Sequence, residues 1–206
     1  MIIVPRVRTP ETLASICAAL VSAYQRTFGK ALGRTLGELL AAQIWLETAR
    51  GQSIQNHSPG NVSAGASWPG KAWRPTWFDE PAPDASERIK HLHAEMLAGR
   101  APSAFRAFDS LDDGMADYLR TLKRNFPQIL AAGSPEQLAQ AIWDSRYTRD
   151  LTPAQSAPSL RSLWTEIRKS NVFAALHDSS AAKTGGGILL FALGLVSLFK
   201  LGRFLS

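Results

Sequence analysis

Repeated helix-start signals constrain the fold of this 206-residue chain more than any other feature. Ser, Thr or Asp precedes Pro or an acidic residue by one to three positions at Thr9, Asp84, Ser110 and Ser134, a spacing that satisfies the first free backbone N–H groups of a helix. Apolar residues then recur at steps of three and four, as in the rows Ile89, Leu92, Met96; Leu111, Met115, Tyr118, Leu122, Phe126; and Leu160, Leu163, Ile167. The chain is therefore predicted to be mainly α-helical.

The region 56–83 is the exception to this helical pattern. Strand signals are weak throughout the chain, and any sheet is predicted to be a small hairpin within this region. Trp68, Trp73 and Trp77 stand here among closely spaced Pro and Gly residues, which predicts an ordered loop. Aromatic side chains on such a loop either anchor it to the core or offer a flat surface for stacking on a sugar, and the sequence leaves both readings open.

Size and charge limit the number of domains and the kinds of partner. A chain of 206 residues fits one domain with attachments. The net charge of +6 permits binding to an anionic polymer, but the Lys and Arg residues are scattered and no nucleic-acid motif accompanies them, so no specific nucleic-acid partner is predicted. The single cysteine, Cys17, excludes an intrachain disulfide and lies in an apolar run, where a buried structural role is expected.

The C-terminal part of the chain is strongly apolar. Residues 184–199 form 16 positions without a charge. As a helix they would span about 24 Å, short of the ~30 Å hydrocarbon core of a bilayer. The span becomes adequate if Lys200 and Arg203 reach the interface with their long side chains. We predict a domain over 1–169, a linker over 170–187 and a C-terminal hydrophobic, membrane-anchoring helix over 188–205; a helix docked in an oligomer or partner groove is the alternative.

A glutamate ends the apolar row of the second predicted helix. Leu36, Leu40 and Ile44 recur at steps of four from about residue 35, and Glu47 is the next member of the row. Burial disfavours the ionised carboxylate, so Glu47 is predicted to have a raised pKa and to act as a general acid. The alternative is a Glu that meets solvent at a helix end or pairs with Arg50.

The residues around Glu47 resemble a known family. The segment Glu47-Thr-Ala-Arg-Gly-Gln-Ser53, followed by Asn56-His-Ser-Pro-Gly-Asn61, resembles the glucosaminidase-like branch of the lysozyme superfamily, glycoside hydrolase family 73. In that family a helix ends in a pattern like Glu-Ser-Gly-x-Gly-x-Ser, and an Asn-rich turn lining the cleft follows. Glu47, Thr48, Gly51 and Ser53 match the pattern, whereas Ala49 replaces a Gly.

Two further motifs follow in the family's order. The segment Phe105-Arg-Ala-Phe-Asp-Ser110, before an acidic helix, is similar to the family's Phe-Arg-x-Tyr-x-Ser signature, with Phe108 where Tyr is commoner. The segment Tyr147-Thr-Arg-Asp150 is similar to the family's Tyr-Ala-Thr-Asp segment, whose Tyr faces the acid across the cleft. The resemblance spans roughly 35–167 and implies a lysozyme-like helical domain with a small loop or β-hairpin lobe.

The resemblance also implies a set of site residues. It makes Glu47 the catalytic acid and Tyr147 a stabiliser of the cationic transition state. A second carboxylate that activates water would come from Asp79 or Glu80, with Glu80 our candidate. Otherwise the acetamido or hydroxyl group of the substrate attacks, and attack by the hydroxyl gives an anhydro product, as in lytic transglycosylases. Candidate substrate contacts are Ser53, Asn56, Asn61, Trp73, Trp77 and Phe105.

A metal or cofactor is not expected. His91 and His93 are two residues apart, so on a helix they do not face one another. His57 and His177 complete the histidines, and no Cys or carboxylate stands near them at zinc-ligand spacing.

The sequence thus predicts a glycosidase that cleaves peptidoglycan between N-acetylglucosamine and N-acetylmuramic acid. The start of the chain lacks the order of a secretory signal peptide. Together with the apolar tail, this predicts a phage virion protein that opens the wall during genome entry, acts in the periplasm or cell envelope, and has a membrane and other virion proteins as partners. The alternatives are a non-catalytic conduit protein that binds glycan and inserts its tail in a membrane, and a host autolysin.

Overall fold

The computed structural model describes residues 1–147 and 151–176. Within them, α-helices, one 3-10 turn and a small three-stranded sheet follow one another along the chain. Their bounds are β1 Ile2–Ile3, α1 Leu13–Phe28, α2 Arg34–Glu47, β2 Lys71–Trp73, α3 Glu87–Leu97, β3 Phe105–Arg106, α4 Leu111–Asn125, the 3-10 turn Ile129–Ala131, α5 Pro135–Asp144 and α6 Pro153–Lys169. The mainly helical prediction is confirmed.

Two of the four predicted helix starts, Ser110 and Ser134, are found where the sequence placed them, and α3 is capped by Ser86 instead of Asp84. Ser86, Ser110 and Ser134 each accept a hydrogen bond from the backbone three residues ahead and begin α3, α4 and α5. The prediction at Thr9 is wrong, because α1 is capped by Thr12 in a reciprocal capping box with Ser15. Thr9 precedes the helix in an extended segment.

The sheet differs from the predicted hairpin. The region 56–83 contributes β2, which pairs in parallel with β1 and antiparallel with β3. Ala72 stands opposite Ile3 on one side and opposite Arg106 on the other. The strands therefore pair between segments that are far apart in sequence, and the predicted hairpin is wrong. Strand signals within one segment do not show which distant segment it pairs with. We call this sheet, with the loops around it, the lobe.

The N-terminal segment belongs to the fold. Beyond β1, the Asn56 backbone N–H donates to the Val7 carbonyl, and the Thr9 and Glu11 N–H groups donate to the carbonyls of Ile54 and Gly51. Residues 1–11 therefore link the sheet of the lobe to the loop that follows α2.

The main core lies between the helices. α1 packs against α4, and α6 packs against both α2 and α5. Cys17 is fully buried in this core, and burial first, then the nearby Glu38 carboxylate, raises the pKa of its thiol to about 12. It is a structural residue, as the sequence predicted.

The helical core extends beyond the predicted domain boundary at 169. Phe173 is 1% exposed and packs against α2 at Gly37. Residues 170–176, predicted to begin a linker, therefore lie beside the core. The predicted anchor at 188–205 and the rest of the chain from 177 lie outside the described residues. Within 1–147 and 151–176, no helix is both long and apolar enough to cross a membrane.

The contact between Phe173 and α2 makes a stability prediction. A Cβ added at Gly37 would lie 2.6 Å from the Phe173 ring, too close for a buried aromatic edge to accommodate. We expect Gly37→Ala to lower the free energy of unfolding by about 1–3 kcal/mol, measured by chemical denaturation of the full chain. Gly65→Ala, where the added Cβ meets nothing within 4 Å, is the control. Equal stability of the two variants would contradict the docking of this segment on α2.

Candidate active site

The end of α2 is a tightly built turn. Thr48 caps it: its hydroxyl donates to the Ile44 carbonyl at 2.6 Å and accepts from the Gly51 N–H at 3.0 Å. Ala49, Arg50 and Gly51 then adopt left-handed backbone angles in succession. A Cβ at Gly51 would lie 2.2 Å from the Glu11 carbonyl oxygen, so glycine is required where the N-terminal segment crosses this turn.

Ala49 lies in this left-handed turn at a position where the family pattern has Gly. Its φ is 47°, a conformation that costs a residue with a Cβ roughly 1–2 kcal/mol. Ala49→Gly relieves this strain, but glycine also adds entropy to the unfolded chain, which offsets part of the gain. We therefore expect the free energy of unfolding to rise by about 0.5–1 kcal/mol. Ala18→Gly, at an exposed position in α1, should change stability in the opposite sense. Chemical denaturation measures both, and a destabilised Ala49→Gly would contradict the strain.

Glu47 is the last residue of α2, and its side chain is exposed. The sequence placed Glu47 in the buried row with Leu40 and Ile44; the residue as a whole is exposed because α2 ends here, but its carboxyl is desolvated and has the predicted raised pKa. Arg50 does not pair with it; the guanidinium bonds Glu166 at 2.6 Å. Glu47 is thus accessible from solvent at the end of α2.

The protein around Glu47 nevertheless shifts its protonation. Desolvation of the carboxyl by the surrounding protein raises the pKa of Glu47 to about 7. The Gln43 amide, whose Nε2 donates to Glu47 Oε1 at 3.1 Å, and the nearby Tyr147 hydroxyl act in the opposite direction and lower it. A carboxyl with these properties keeps a proton in mildly acidic solution and can deliver it to a bound molecule.

Tyr147 faces the same carboxyl from the end of α5. Its ring packs edge-to-face on Phe126, with the centroids 5.2 Å apart. Its hydroxyl is buried. It lies close enough to Glu47 for the two groups to interact: burial, then the Glu47 charge, raises the pKa of Tyr147 well above its usual value. The rest of the predicted Tyr147–Asp150 motif lies outside the described residues.

Two residues of the site were not recognised from the sequence in this role. Gln43 is 1% exposed on α2, and Tyr118, also 1% exposed on α4, donates from its hydroxyl to Gln43 Oε1 at 3.1 Å. Tyr118 was read only as part of an apolar row. A buried glutamine four residues before Glu47, in a helix otherwise rich in Leu and Ala, is the signal that identifies Gln43, since residues four apart share a helix face.

The turn after α2 uses its asparagines differently. The Asn56 Oδ1 accepts from the Val7 N–H and its Nδ2 donates to the Pro5 carbonyl, both at 2.9 Å, so the amide is committed to the N-terminal segment. Asn61 is exposed at the far end of the turn, and Ser53 is half-buried near its start. Of these predicted contacts, Asn61 has the freest side chain.

The aromatic residues of the lobe form a small core. Trp73, 5% exposed, stacks on Phe105, 9% exposed, with the ring centroids 4.9 Å apart. Trp77 packs edge-to-face on Phe105 and donates from its indole N–H to the Pro102 carbonyl. This arrangement favours the anchoring alternative for Trp73 and Phe105 over sugar stacking.

The acidic candidates in the lobe, Asp79 and Glu80, lie in the loop between β2 and α3, and both are exposed. The structure thus brings together Glu47 and Tyr147 among the predicted catalytic residues, and it places Glu80 on the separate lobe. Neither carboxylate shares the surroundings that distinguish Glu47.

A buried ion pair joins the lobe to the helices. The Arg106 Nη1 lies 2.9 Å from each carboxylate oxygen of Asp117, and the side chains are 15% and 5% exposed. The guanidinium also lies over the Trp68 ring, 4.3 Å from its centroid. Because Asp117 directly precedes Tyr118 on α4, the pair fixes the lobe against the helix that reaches Gln43.

The histidines take part in other contacts. A ring nitrogen of His93 lies 2.9 Å from the Trp77 carbonyl oxygen, and His57 Nδ1 lies 3.5 Å from a Glu11 carboxylate oxygen. In the part of the chain that is described, no group of three or more His, Cys, Asp or Glu side chains could hold a metal ion. His177 lies outside that part.

Comparison with known structures identifies the fold. The glycoside hydrolase domain of FlgJ from Salmonella typhimurium is similar with a TM-score of 0.52 and 20% sequence identity, over 84% of this chain and 96% of that domain. A peptidoglycan hydrolase from Sphingomonas sp. A1 is similar with a TM-score of 0.52 and 19% identity, over 79% of this chain and 92% of that one. No protein-family model matches the sequence, and no curated protein matches it. The predicted lysozyme-like fold is confirmed at the level of structure.

Proposed function

We propose that the protein is a peptidoglycan glycosidase in which Glu47 is the general acid. The observation that carries the proposal is Glu47, an exposed residue at the end of α2 whose carboxyl has its pKa raised to about 7 by the surrounding protein. The two similar structures, a glycoside hydrolase domain and a peptidoglycan hydrolase, support the same class of chemistry.

In the proposed reaction Glu47 gives its proton to the oxygen of the leaving sugar as the bond from that oxygen to the anomeric carbon breaks. Positive charge then develops on the anomeric carbon and ring oxygen. The Tyr147 hydroxyl, held by Phe126 and kept protonated by its raised pKa, presents an oxygen lone pair toward the site and stabilises this charge without ionising.

The attack on the anomeric carbon has two candidate routes. A water activated by Glu80 or Asp79 would require the lobe to bring a carboxylate to within ~6.5–9.5 Å of Glu47. Attack by the substrate's own acetamido or hydroxyl oxygen needs no second protein carboxylate. Neither Glu80 nor Asp79 is among the described groups that shift the pKa of Glu47, which favours the second route in the conformation described.

Mass spectrometry of the fragments released from purified peptidoglycan tests the proposal. We expect new ends with each glycan cut: reducing N-acetylglucosamine for a glucosaminidase, reducing N-acetylmuramic acid for a muramidase, and an anhydro sugar if a substrate hydroxyl attacks. Cleavage of the stem peptides alone, or no cleavage of the wall, would refute the proposal that the protein is a glycosidase.

The biological setting is a separate proposal. We infer that this is a phage virion protein that opens the wall locally. We also infer that residues 188–205 anchor it in a membrane, because that segment is apolar. Flotation of the full chain with liposomes tests the anchor, and immunoblotting of purified virions tests the location. A chain that stays with the soluble fraction, or that is absent from virions, would refute the corresponding part.

A further inference from the structure

Three side chains form a hydrogen-bonded series that ends on the proposed acid. Tyr118 Oη donates to Gln43 Oε1 at 3.1 Å, and Gln43 Nε2 donates to Glu47 Oε1 at 3.1 Å. Tyr118 and Gln43 are each 1% exposed, whereas Glu47 is open to solvent. The series therefore runs from the core of the helical domain to the floor of the site.

The Tyr118 hydroxyl determines which way the Gln43 amide points. Among the described residues, the acceptor that this buried hydroxyl reaches is Gln43 Oε1. If the amide turned over, its NH₂ group would face the hydroxyl and the O–H hydrogen would have no acceptor, a costly arrangement for a buried donor. The hydroxyl therefore keeps Oε1 toward Tyr118 and Nε2 toward Glu47.

The orientation of the amide in turn decides which oxygen of Glu47 carries the proton. Nε2 is a donor only, so the oxygen it meets must present a lone pair. A proton on Glu47 Oε1 would point at another hydrogen. The proton therefore resides on Oε2, the oxygen that Gln43 does not hold.

We propose that Gln43 and Tyr118 are positioning residues that hold Glu47 Oε1 as an acceptor and leave the transferable proton on Oε2. The inference rests on the proposed role of Glu47 as the acid. Gln43 and Tyr118 together select which oxygen of Glu47 carries the proton and how the carboxyl is oriented. Among the described residues, the titratable groups that interact with Glu47 are Tyr118 on α4 and Tyr147 after α5, and both phenols are held in their neutral form by pKa values well above the usual range.

The test compares Gln43→Met and Tyr118→Phe with the wild-type full chain. Side-chain ¹³C NMR of labelled Glu follows the Glu47 titration, with Glu47→Gln used to assign the signal. We expect Gln43→Met to raise the pKa of Glu47, because a hydrogen bond to the ionised form is lost. In both variants kcat on soluble glycan fragments should fall by about tenfold or more, with KM little changed. This fold-change corresponds to the free energy of one hydrogen bond to a charged group. The basic limb of the kcat/KM profile should move with the NMR titration.

A matched control lies on the same helix. Thr121 is buried on α4, and its hydroxyl has no hydrogen-bond partner in the described structure. Thr121→Val therefore removes a buried hydroxyl from α4 outside the series and should leave the Glu47 titration and kcat unchanged. Thermal melting shows that each variant folds.

The NMR titration separates this inference from the proposed function. If Gln43→Met leaves the pKa of Glu47 at its wild-type value, or if Tyr118→Phe leaves kcat and its pH profile unchanged, the positioning role is overturned. If the wild type cuts no glycan although the NMR shift is seen, the role of Glu47 as an acid is what fails, and the positioning of a catalytic proton fails with it.

Discussion

Glu47→Gln is expected to lower the rate of glycan cleavage by roughly 10²- to 10⁴-fold, the usual contribution of a general acid. Glutamine keeps the size and much of the polarity of the side chain but cannot deliver a proton to the leaving oxygen. Wall turbidity assays and zymography of the purified full chain measure the loss. Glu166→Gln is a matched control. Glu166 lies on α6 and is also exposed, but its carboxylate pairs with Arg50, which follows the end of α2.

The pH dependence of the wild type adds a second measurement of the same group. The acid works only while protonated, so kcat/KM should fall as pH rises through about 7, the pKa to which desolvation raises Glu47. Activity that stays level to pH 9, or a Glu47→Gln protein as active as the Glu166→Gln control, would remove Glu47 from the mechanism. Clearing by neither variant nor wild type would leave the non-catalytic glycan-binding alternative.

Stability should change in the opposite sense to activity in Glu47→Gln. A carboxyl whose pKa is raised by folding has no stability cost below its unfolded value near 4.5; the cost grows as pH rises from there to the folded value near 7 and is constant above it. The neutral glutamine avoids that cost. Thermal melting should therefore show the variant more stable than the wild type at pH 8 and nearly equal to it at pH 4.

Asp117→Ala is expected to lower the free energy of unfolding by about 3–5 kcal/mol, because it leaves the Arg106 guanidinium buried without its carboxylate. The pair is mostly buried and both Asp117 oxygens accept from the same Nη1 group. Urea denaturation of the full chain measures the change. Because Arg106 lies in β3, loosening of the lobe should accompany it.

An exposed ion pair of the same lobe provides the control for Asp117→Ala. Asp109 pairs with Lys71 at 2.6 Å, but its side chain is 78% exposed, and such pairs contribute about 0–1 kcal/mol. Asp109→Ala should thus change stability little. Replacing both members of the buried pair, as in Arg106→Met with Asp117→Leu, should cost less than Asp117→Ala alone, since no unpaired charge remains. A loss below 1 kcal/mol for Asp117→Ala would contradict the importance of the pair.

The helices could be predicted from the sequence because their signals are local. Ser110 and Ser134 lie three residues from the backbone groups that they cap, and the apolar rows repeat within each helix. The sheet could not, because its strands are two or three residues long and pair across intervals of about 30 and 70 positions. The hairpin prediction assumed that neighbouring segments pair.

Part of the site could be predicted because its motif, like the helix signals, is local in sequence. The motif around Glu47 is contiguous, so the acid was found, but its exposure depends on where α2 ends relative to the rest of the domain. The link from Tyr118 to Gln43 joins two helices 75 positions apart. Each residue looks ordinary alone: one belongs to an apolar row and the other to a helix interior. Only their contact reveals the role.

The pairing of β1 with β2 has a consequence for synthesis. Ile2 and Ile3 leave the ribosome before every other strand residue, yet their partners Lys71 and Ala72 are made about 70 residues later. At ordinary elongation rates of roughly 5–20 residues per second, the first strand waits several seconds in an unpaired state. During that interval its apolar side chains are available to chaperones, and α1 can form while the sheet cannot.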